Sequence, residues 1–395
     1  MDVQVLRDQL ERKQGPVMLD IRPPDSRAEW AIPGSLWVDA YHAIKAGDYR
    51  PLEALDLPVG RPVVVVCDAG RTSQLAAAYL RGKGMDADSL EGGMQAWTAA
   101  WNLADLPVAG GVEIVQVRRT GKGCLSYIVV SRGEALVIDP ALAPQVYTDV
   151  TAAGHLKIVG VVDTHVHADH LSRSPLLARE LSVPHYLPVQ NRVGFPFEPL
   201  HDGDRIPFGC AALEVIRTPG HTWESSAYYL PAGSVLTGDT LFLDGVGRPD
   251  LEARSGEAEE RGRALFRSLR RLFELPEETR VLPGHVGRPL AFDGVPWAAP
   301  LGDVRAKVAL LKLDEGTFVR TLLARVPPTP PNHRRIVELN EMGTWPDEEP
   351  RVLEAGANRC AVGRNGAPAV WARSATLERG RGTRRPGLPR TATRL

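Results

Sequence analysis

At 395 residues, with 47 basic and 48 acidic side chains, the chain is long enough for two compact units and carries no bulk charge drawing it to nucleic acid or a membrane surface. Its 43% apolar and 24% charged fractions are those of an ordinary globular protein, and no apolar run approaches the ~18 residues that span a bilayer. The four cysteines form no zinc-like pair, and Met1-Asp2-Val3-Gln4 lacks the basic-then-apolar plan of a signal peptide, so reduced thiols in a cytoplasmic protein are expected.

Asp2 to Arg12 reads as a short helix turning Val5, Leu6 and Leu10 toward a core. Val17 to Asp20 and Pro62 to Val66 read as strands, and Ser73 to Arg81 as a helix carrying Leu75, Ala78 and Leu80. Strands alternating with helices argue for a parallel sheet covered on both faces. Cys67 stands at the exit of the second strand, facing the backbone N–H groups of a helix start, with Arg71 nearby. Those positive partial charges would stabilise a thiolate or a bound persulfide. A half-buried structural cysteine in a turn fits the local pattern equally well.

Leu19-Asp20-Ile21-Arg22, Ile32-Pro33-Gly34-Ser35, the Cys67 loop and Glu91 to Trp97 resemble a single rhodanese domain in order and spacing, over residues 1–105. The resemblance implies an α/β unit with Cys67 as sulfur-carrying nucleophile, and makes Cys67 and Arg71 its candidate catalytic residues. Two departures stand out. Trp30-Ala31 precede Ile32 where the family has Gly-His, and the loop places Arg71 one position early and ends in Thr72.

Leu106 to Gly111 is turn-rich and reads as a domain boundary. Beyond it, Val112 to Val117, Leu125 to Val130 and Ala135 to Asp139 read as strands, the last ending in a carboxylate, and Pro144 to Ala153 as a helix. The run Ile158 to Val162 is a buried strand by its β-branched content. Thr164-His165-Val166-His167-Ala168-Asp169-His170 follows, and Ser174-Pro175 then cap a helix carrying Leu176, Leu177 and Leu181. Three imidazoles and a carboxylate thus lie where a strand hands over to a helix, the place where α/β sheets put their chemistry. They are ligand types that Zn and Fe(II) accept. Further on, His221 follows the strand Ala212 to Ile216, Asp239 ends Val235 to Gly238, and His285 follows Val281 to Gly284. Five of the ten histidines occupy strand ends, which coincidence explains poorly.

Asp139, Thr164 to His170, His221, Asp239 and His285 match, in order, the motifs of the metallo-β-lactamase superfamily and resemble its glyoxalase II and persulfide dioxygenase branch. The implied fold is an αββα sandwich over residues 112–335, with metal at one edge of the two sheets. By resemblance, His165, His167 and His221 would hold one metal, Asp169, His170 and His285 another, and Asp239 would bridge them. Asp169 is also a candidate catalytic residue. Glyoxalase II implies two Zn or mixed metals and hydroxide attack on a thioester. Persulfide dioxygenase implies mononuclear Fe(II) on His165, His221 and Asp239, a 2-His-1-carboxylate face with positions open for O2 and sulfur. His167, Asp169, His170 and His285 would then serve a second metal or surround the first. Thr237 to Phe242 and Gly247-Arg248-Pro249-Asp250-Leu251 resemble the dioxygenase branch, and a sulfur-carrying domain in the same chain is fitting company for it.

The expected function is therefore oxidation of a thiol persulfide, glutathione persulfide or similar, to sulfite and thiol, with rhodanese-type transfer at Cys67. The alternative is a binuclear thioester hydrolase of the hydroxyacylglutathione hydrolase type. The expected partners are the persulfide and O2, without nucleic acid or membrane, and a homo-oligomer is left open. Val286-Gly287-Arg288 follows His285 where glutathione-using relatives often carry an acid-Tyr pair, which leaves the thiol carrier unassigned. Glu257 to Phe273 and Glu315 to Val326 read as packing helices, and residues 336–395 as a C-terminal extension. Cys360 reads no differently from a buried apolar residue. From Arg373 onward, seven arginines against one acid predict a disordered, solvated end.

Overall fold

The computed structural model describes residues 1–363 except 59, 346–349 and 357, so the arginine-rich tail lies outside the described residues. Val17–Asp20 and Val63–Val66 form the centre of a four-stranded parallel sheet flanked by Leu36–Trp37 and Ala87–Ser89. Side chains alternate between sheet faces, so Val63 and Val65 join a core with Ala76, Ala77 and Leu80. Val64 and Val66 face the other way, into a core that runs on into the rest of the molecule.

The helix Thr72–Gly82 buries Ser73, Ala76, Ala77 and Leu80, an i, i+3, i+4, i+7 stripe, and leaves Leu75 and Ala78 exposed, contrary to expectation. The same periodicity corrects the first helix, Val3–Glu11, where Val3 and Leu6 are buried and Val5 is exposed.

A second correction concerns the boundary between the units. Asn102–Val108 is a strand, paired antiparallel along its whole length with Val112–Arg119. Residues 106–111 are its end and its turn, where Gly110 and Gly111 adopt positive φ, so the second unit begins before residue 105. The strand lies at the sheet edge, the one place where Pro107 is tolerated, and Pro with two glycines looked like a linker.

The second unit packs a seven-stranded sheet on a six-stranded one. Tyr127, Val129, Leu136, Ile138 and Val162 of the first meet Leu213, Val215, Tyr228, Leu236 and Leu282 of the second. On the outer faces, Pro144–Ala153 and Ser174–Leu181 cover the first sheet, and Glu257–Leu272 and Glu315–Ala324 the second. This is the expected αββα order. The C-terminal strand Ala361–Val362 returns to pair with Gly245–Gly247, beside the segment that carries Asp239. No helix among the described residues is long and apolar enough to cross a membrane.

Candidate metal centre

Most donors of the second unit lie just past the end of a strand. Asp139 follows Glu134–Ile138, the histidine motif follows Lys157–Val162, Asp239 follows Ser234–Gly238, and His285 follows Arg280–Pro283. The loop after Val162 is drawn tight by Asp163, which accepts from Ser174 Oγ (2.7 Å) and pairs with His185 Nε2 (2.9 Å). Close approach requires glycine at two points. A Cβ on Gly238 would come within 2.6 Å of Thr164 Oγ1, and one on Gly284 within 2.6 Å of Asp239 Oδ1.

His165, His221 and Asp239 each offer one ligand atom, and these atoms lie within 4.8 Å of one another. All three residues are buried. Hydrogen bonds fix which ring nitrogen is bare. Thr164 Oγ1 donates to Asp139 Oδ2 (2.8 Å) and therefore accepts from His165 Nδ1 (2.9 Å), leaving Nε2 a lone pair and no partner. His221 Nδ1 donates to the Arg248 carbonyl (2.8 Å), and its Nε2 lies 3.6 Å from Asp239 Oδ2, itself without a hydrogen bond. A buried polar atom without a partner is costly, and a cation removes that cost. Burial lowers both rings below their ordinary pKa, which keeps them neutral as ligands must be. Burial acts to raise the Asp239 carboxyl, but the charged His285 hydrogen-bonded to it outweighs burial and holds it ionised. The donors thus fit a divalent transition metal.

The second set is arranged differently. Asp169, His170 and His285 come together with a fourth donor, Cys124, all within 4.8 Å. His285 spans two carboxylates, with Nδ1 on Asp239 Oδ1 (2.6 Å) and Nε2 on Asp169 Oδ2 (2.9 Å). Burial acts to lower its pKa, yet these two carboxylates raise it well above the ordinary value, so it is held as an imidazolium. Asp169 Oδ2 also accepts from Asn358 Nδ2 (2.9 Å) and Cys124 Sγ (3.4 Å), while His170 Nε2 has no partner. Although burial and Asp169 act to raise it, the Cys124 thiol is lowered to about 6 by His170 and His285.

His167, the remaining histidine of the motif, has its ring oriented by a carboxylate. Its Nε2 turns to Asp139 Oδ1 (3.2 Å), and it groups with Asp139 and Asp163 rather than with His165 and His221. Its buried Nδ1 has no partner.

In the first unit, Cys67 is 1% exposed, and its sulfur meets Ser73 N (3.4 Å) and Ser73 Oγ (3.2 Å) at the start of Thr72–Gly82. Arg71, expected beside the sulfur, is exposed at the residue before that helix, and the groups on the sulfur are those of Ser73. The loop narrows because Gly93 packs against the Cys67 carbonyl, where a Cβ would come within 2.1 Å.

Residues 2–100 match the family model for the rhodanese-like domain, and residues 119–285 that for the metallo-beta-lactamase superfamily. A rhodanese-like domain precedes a domain of the metallo-β-lactamase fold. Hydroxyacylglutathione hydrolase of Methylobacillus flagellatus is 36% identical over 170 residues, which are 42% of this chain and 64% of that protein. The protein of the same name from Gloeobacter violaceus is 37% identical over 168 residues, 40% of this chain and 63% of its own. The chain thus spans less than two thirds of those relatives. Among solved structures, ETHE1 from Myxococcus xanthus superposes with a TM-score of 0.51 at 28% identity, covering 58% of this chain and 98% of that one. A metallo-beta-lactamase from Staphylococcus aureus gives 0.54 at 25% identity, covering 60% and 74%.

The second unit is completed by residues of the C-terminal segment. Asn340 Nδ2 donates to the carbonyls of His167 (2.8 Å) and His170 (2.9 Å). Glu354 pairs with Arg119 and Arg173 and accepts from Leu171 N (2.8 Å). Cys360 offers its sulfur within 4.8 Å of Asp239 and His285 donor atoms. The C-terminal segment, read as an extension without chemistry, therefore packs directly on the metal-binding loop.

Proposed function

We propose that the metallo-β-lactamase domain oxidises the outer sulfur of a low-molecular-weight thiol persulfide with O2, on one Fe(II) held by His165, His221 and Asp239, and that Cys67 carries sulfane sulfur. The reaction balances as R–S–SH, O2 and water giving R–SH, sulfite and two protons. Supporting it above all is the clustering of His165, His221 and Asp239 donor atoms within 4.8 Å of one another, with His165 Nε2 and Asp239 Oδ2 buried and without partners. The neighbouring set, by contrast, ties two of its donors to each other and to Asp239 through His285.

Ferrous iron on such a face supplies open coordination positions and electrons for O2. The chain's own groups do the rest. Thr164 and the Arg248 carbonyl fix the two ligand rings in the bare-Nε2 tautomer, a role that usually governs metal affinity. Burial opposes the charge on Asp169, but His285 and His170 keep the carboxyl ionised, so it orients both rings rather than donating a proton.

A second reading has its own support. His170 Nε2 and His167 Nδ1 are also buried without partners, and relatives at 36–37% identity bear the name hydroxyacylglutathione hydrolase. A two-metal thioester hydrolase would use those nitrogens. Metal analysis of protein purified without added metal separates the two. About one Fe per chain supports the dioxygenase, and about two Zn or mixed metals the hydrolase.

A further inference from the structure

Cys124 belongs to none of the motifs that carry the family resemblance, and the reaction proposed above does not use it. It is the first residue of the strand Cys124–Ser131, and His285 lies just past Arg280–Pro283 in the other sheet. Leu125 N donates to the Gly284 carbonyl (2.8 Å) and Val286 N to the Gly123 carbonyl (2.8 Å), so Cys124 and His285 form an antiparallel bridge between the two sheets. The loop after Lys157–Val162 delivers Asp169 and His170 to the same place, and the four buried donors lie within 4.8 Å of one another. Asp169 Oδ2 is 2.9 Å from His285 Nε2 and 3.4 Å from Cys124 Sγ. Four-coordinate zinc, with bonds of ~2.0 Å to N or O and ~2.3 Å to S, spaces its ligands roughly 3.3–3.6 Å apart, so shifts of at most about half an ångström bring these atoms to such spacings. Asp169 Oδ1 holds His170 Nδ1 (3.0 Å), which leaves the buried His170 Nε2 without a partner. Asp239 Oδ1 holds His285 Nδ1 (2.6 Å), the carboxylate–imidazole pairing that orients a metal-bound histidine.

We propose that Cys124, as a thiolate, completes a closed site with Asp169, His170 and His285 that takes one thiophilic divalent ion, Zn2+ above all, when that ion is supplied. The donor set selects the ion: thiolate and imidazole suit Zn2+, whereas Mg2+, Ca2+ and Mn2+ prefer oxygen. Four protein donors also fill a tetrahedral shell, where catalytic zinc keeps three and a water. An ion held here has no position left for water or substrate, and its work is to fasten the two sheets to the loop that carries His165. Asn358 Nδ2 donates to the same Asp169 oxygen (2.9 Å) and stays in place as the ion binds, since a carboxylate oxygen accepts more than once. Binding displaces the thiol proton of Cys124 and the Nε2 proton of His285, and with them the hydrogen bonds both make to Asp169. That loss opposes binding, so the site fills on added zinc, apart from the metal kept at His165, His221 and Asp239. The inference does not rest on which reaction that first position performs.

The test is zinc K-edge X-ray absorption on the full, iron-loaded chain after addition of one equivalent of Zn2+, a reading that iron does not enter. The closed site predicts one sulfur at ~2.3 Å, with nitrogen and oxygen at ~2.0–2.1 Å. Cys124→Ser, with its fold checked by circular dichroism, loses the sulfur and binds zinc at least about tenfold more weakly. Cys360→Ser, which removes the other thiol near His285, keeps the sulfur. Mg2+ in about hundredfold excess does not displace the zinc. A zinc shell without sulfur in the intact protein, or a sulfur that survives Cys124→Ser, overturns the inference, and the first of these needs no variant to fold. Iron content of the same sample keeps the two questions apart. Iron retained beside sulfur-free zinc sinks the closed site alone; iron lost to zinc while the sulfur signal remains counts against the iron assignment and leaves the closed site standing.

Discussion

Replacing Glu354 by Gln tests how far the C-terminal segment holds the metal loop in place. The side chain is 1% exposed and pairs with Arg119 (2.7 Å) and Arg173, which are 3% and 6% exposed. Gln keeps the shape but leaves two buried guanidinium groups without a counter-charge. Removing one partner of a buried ion pair costs roughly 3–5 kcal/mol, because the remaining charge stays desolvated. For a domain of this size that is a fall in Tm of roughly 6–20 °C. The assay is urea unfolding of wild type and variant, comparing midpoints at unchanged slope. The pH dependence has a definite sign. Burial acts to raise the Glu354 carboxyl, but Arg119 and Arg173 hold it below its ordinary 4.5. Its contribution is therefore fully present above pH 4.5 and is lost as pH falls from there through the folded-state value, so wild type and variant converge only in acid. A difference under about 1 kcal/mol at pH 7 would refute the idea that this carboxylate anchors the segment.

Thr164→Val removes the acceptor that fixes His165 Nδ1–H, and metal affinity, read by titration against a chelator, should fall by roughly 10–100-fold with the fold intact by circular dichroism. Gly284→Ala pushes a methyl within 2.6 Å of Asp239 Oδ1, so metal content should fall sharply in protein that still transfers sulfur from thiosulfate to a thiol at Cys67. Cys67→Ser should show the converse, with that transfer abolished while oxygen uptake on directly supplied glutathione persulfide stays within about twofold of wild type. Loss of both activities in either variant would count against two separable sites.

Local pattern placed His165, His221, Asp239 and His285 at or just beyond the ends of apolar, β-branched strands, and the family resemblance implied that those ends share one edge. What fixes their tautomers was less accessible. Thr164 adjoins the motif, but the partner of His221 is the backbone carbonyl of Arg248, which every residue type possesses. Asn340, Glu354, Asn358 and Cys360 reach the site from its far side in sequence, Glu354 pairing with Arg119 across 235 positions, and no local periodicity reports such a contact. The carboxylates Asp139 and Asp163 that face His167 Nε2 are a further contact that motif spacing does not report. The edge strand Asn102–Val108 was hidden by its own Pro107 and the glycines that follow.

One comparison bears on the whole account: oxygen consumption with glutathione persulfide against hydrolysis of a glutathione thioester, measured on a single iron-loaded preparation. The account predicts rapid uptake with sulfite formed in step with O2, no more than slow thioester cleavage, and loss of uptake in His221→Ala. Fast thioester cleavage without oxygen consumption would contradict it and make the chain a hydrolase.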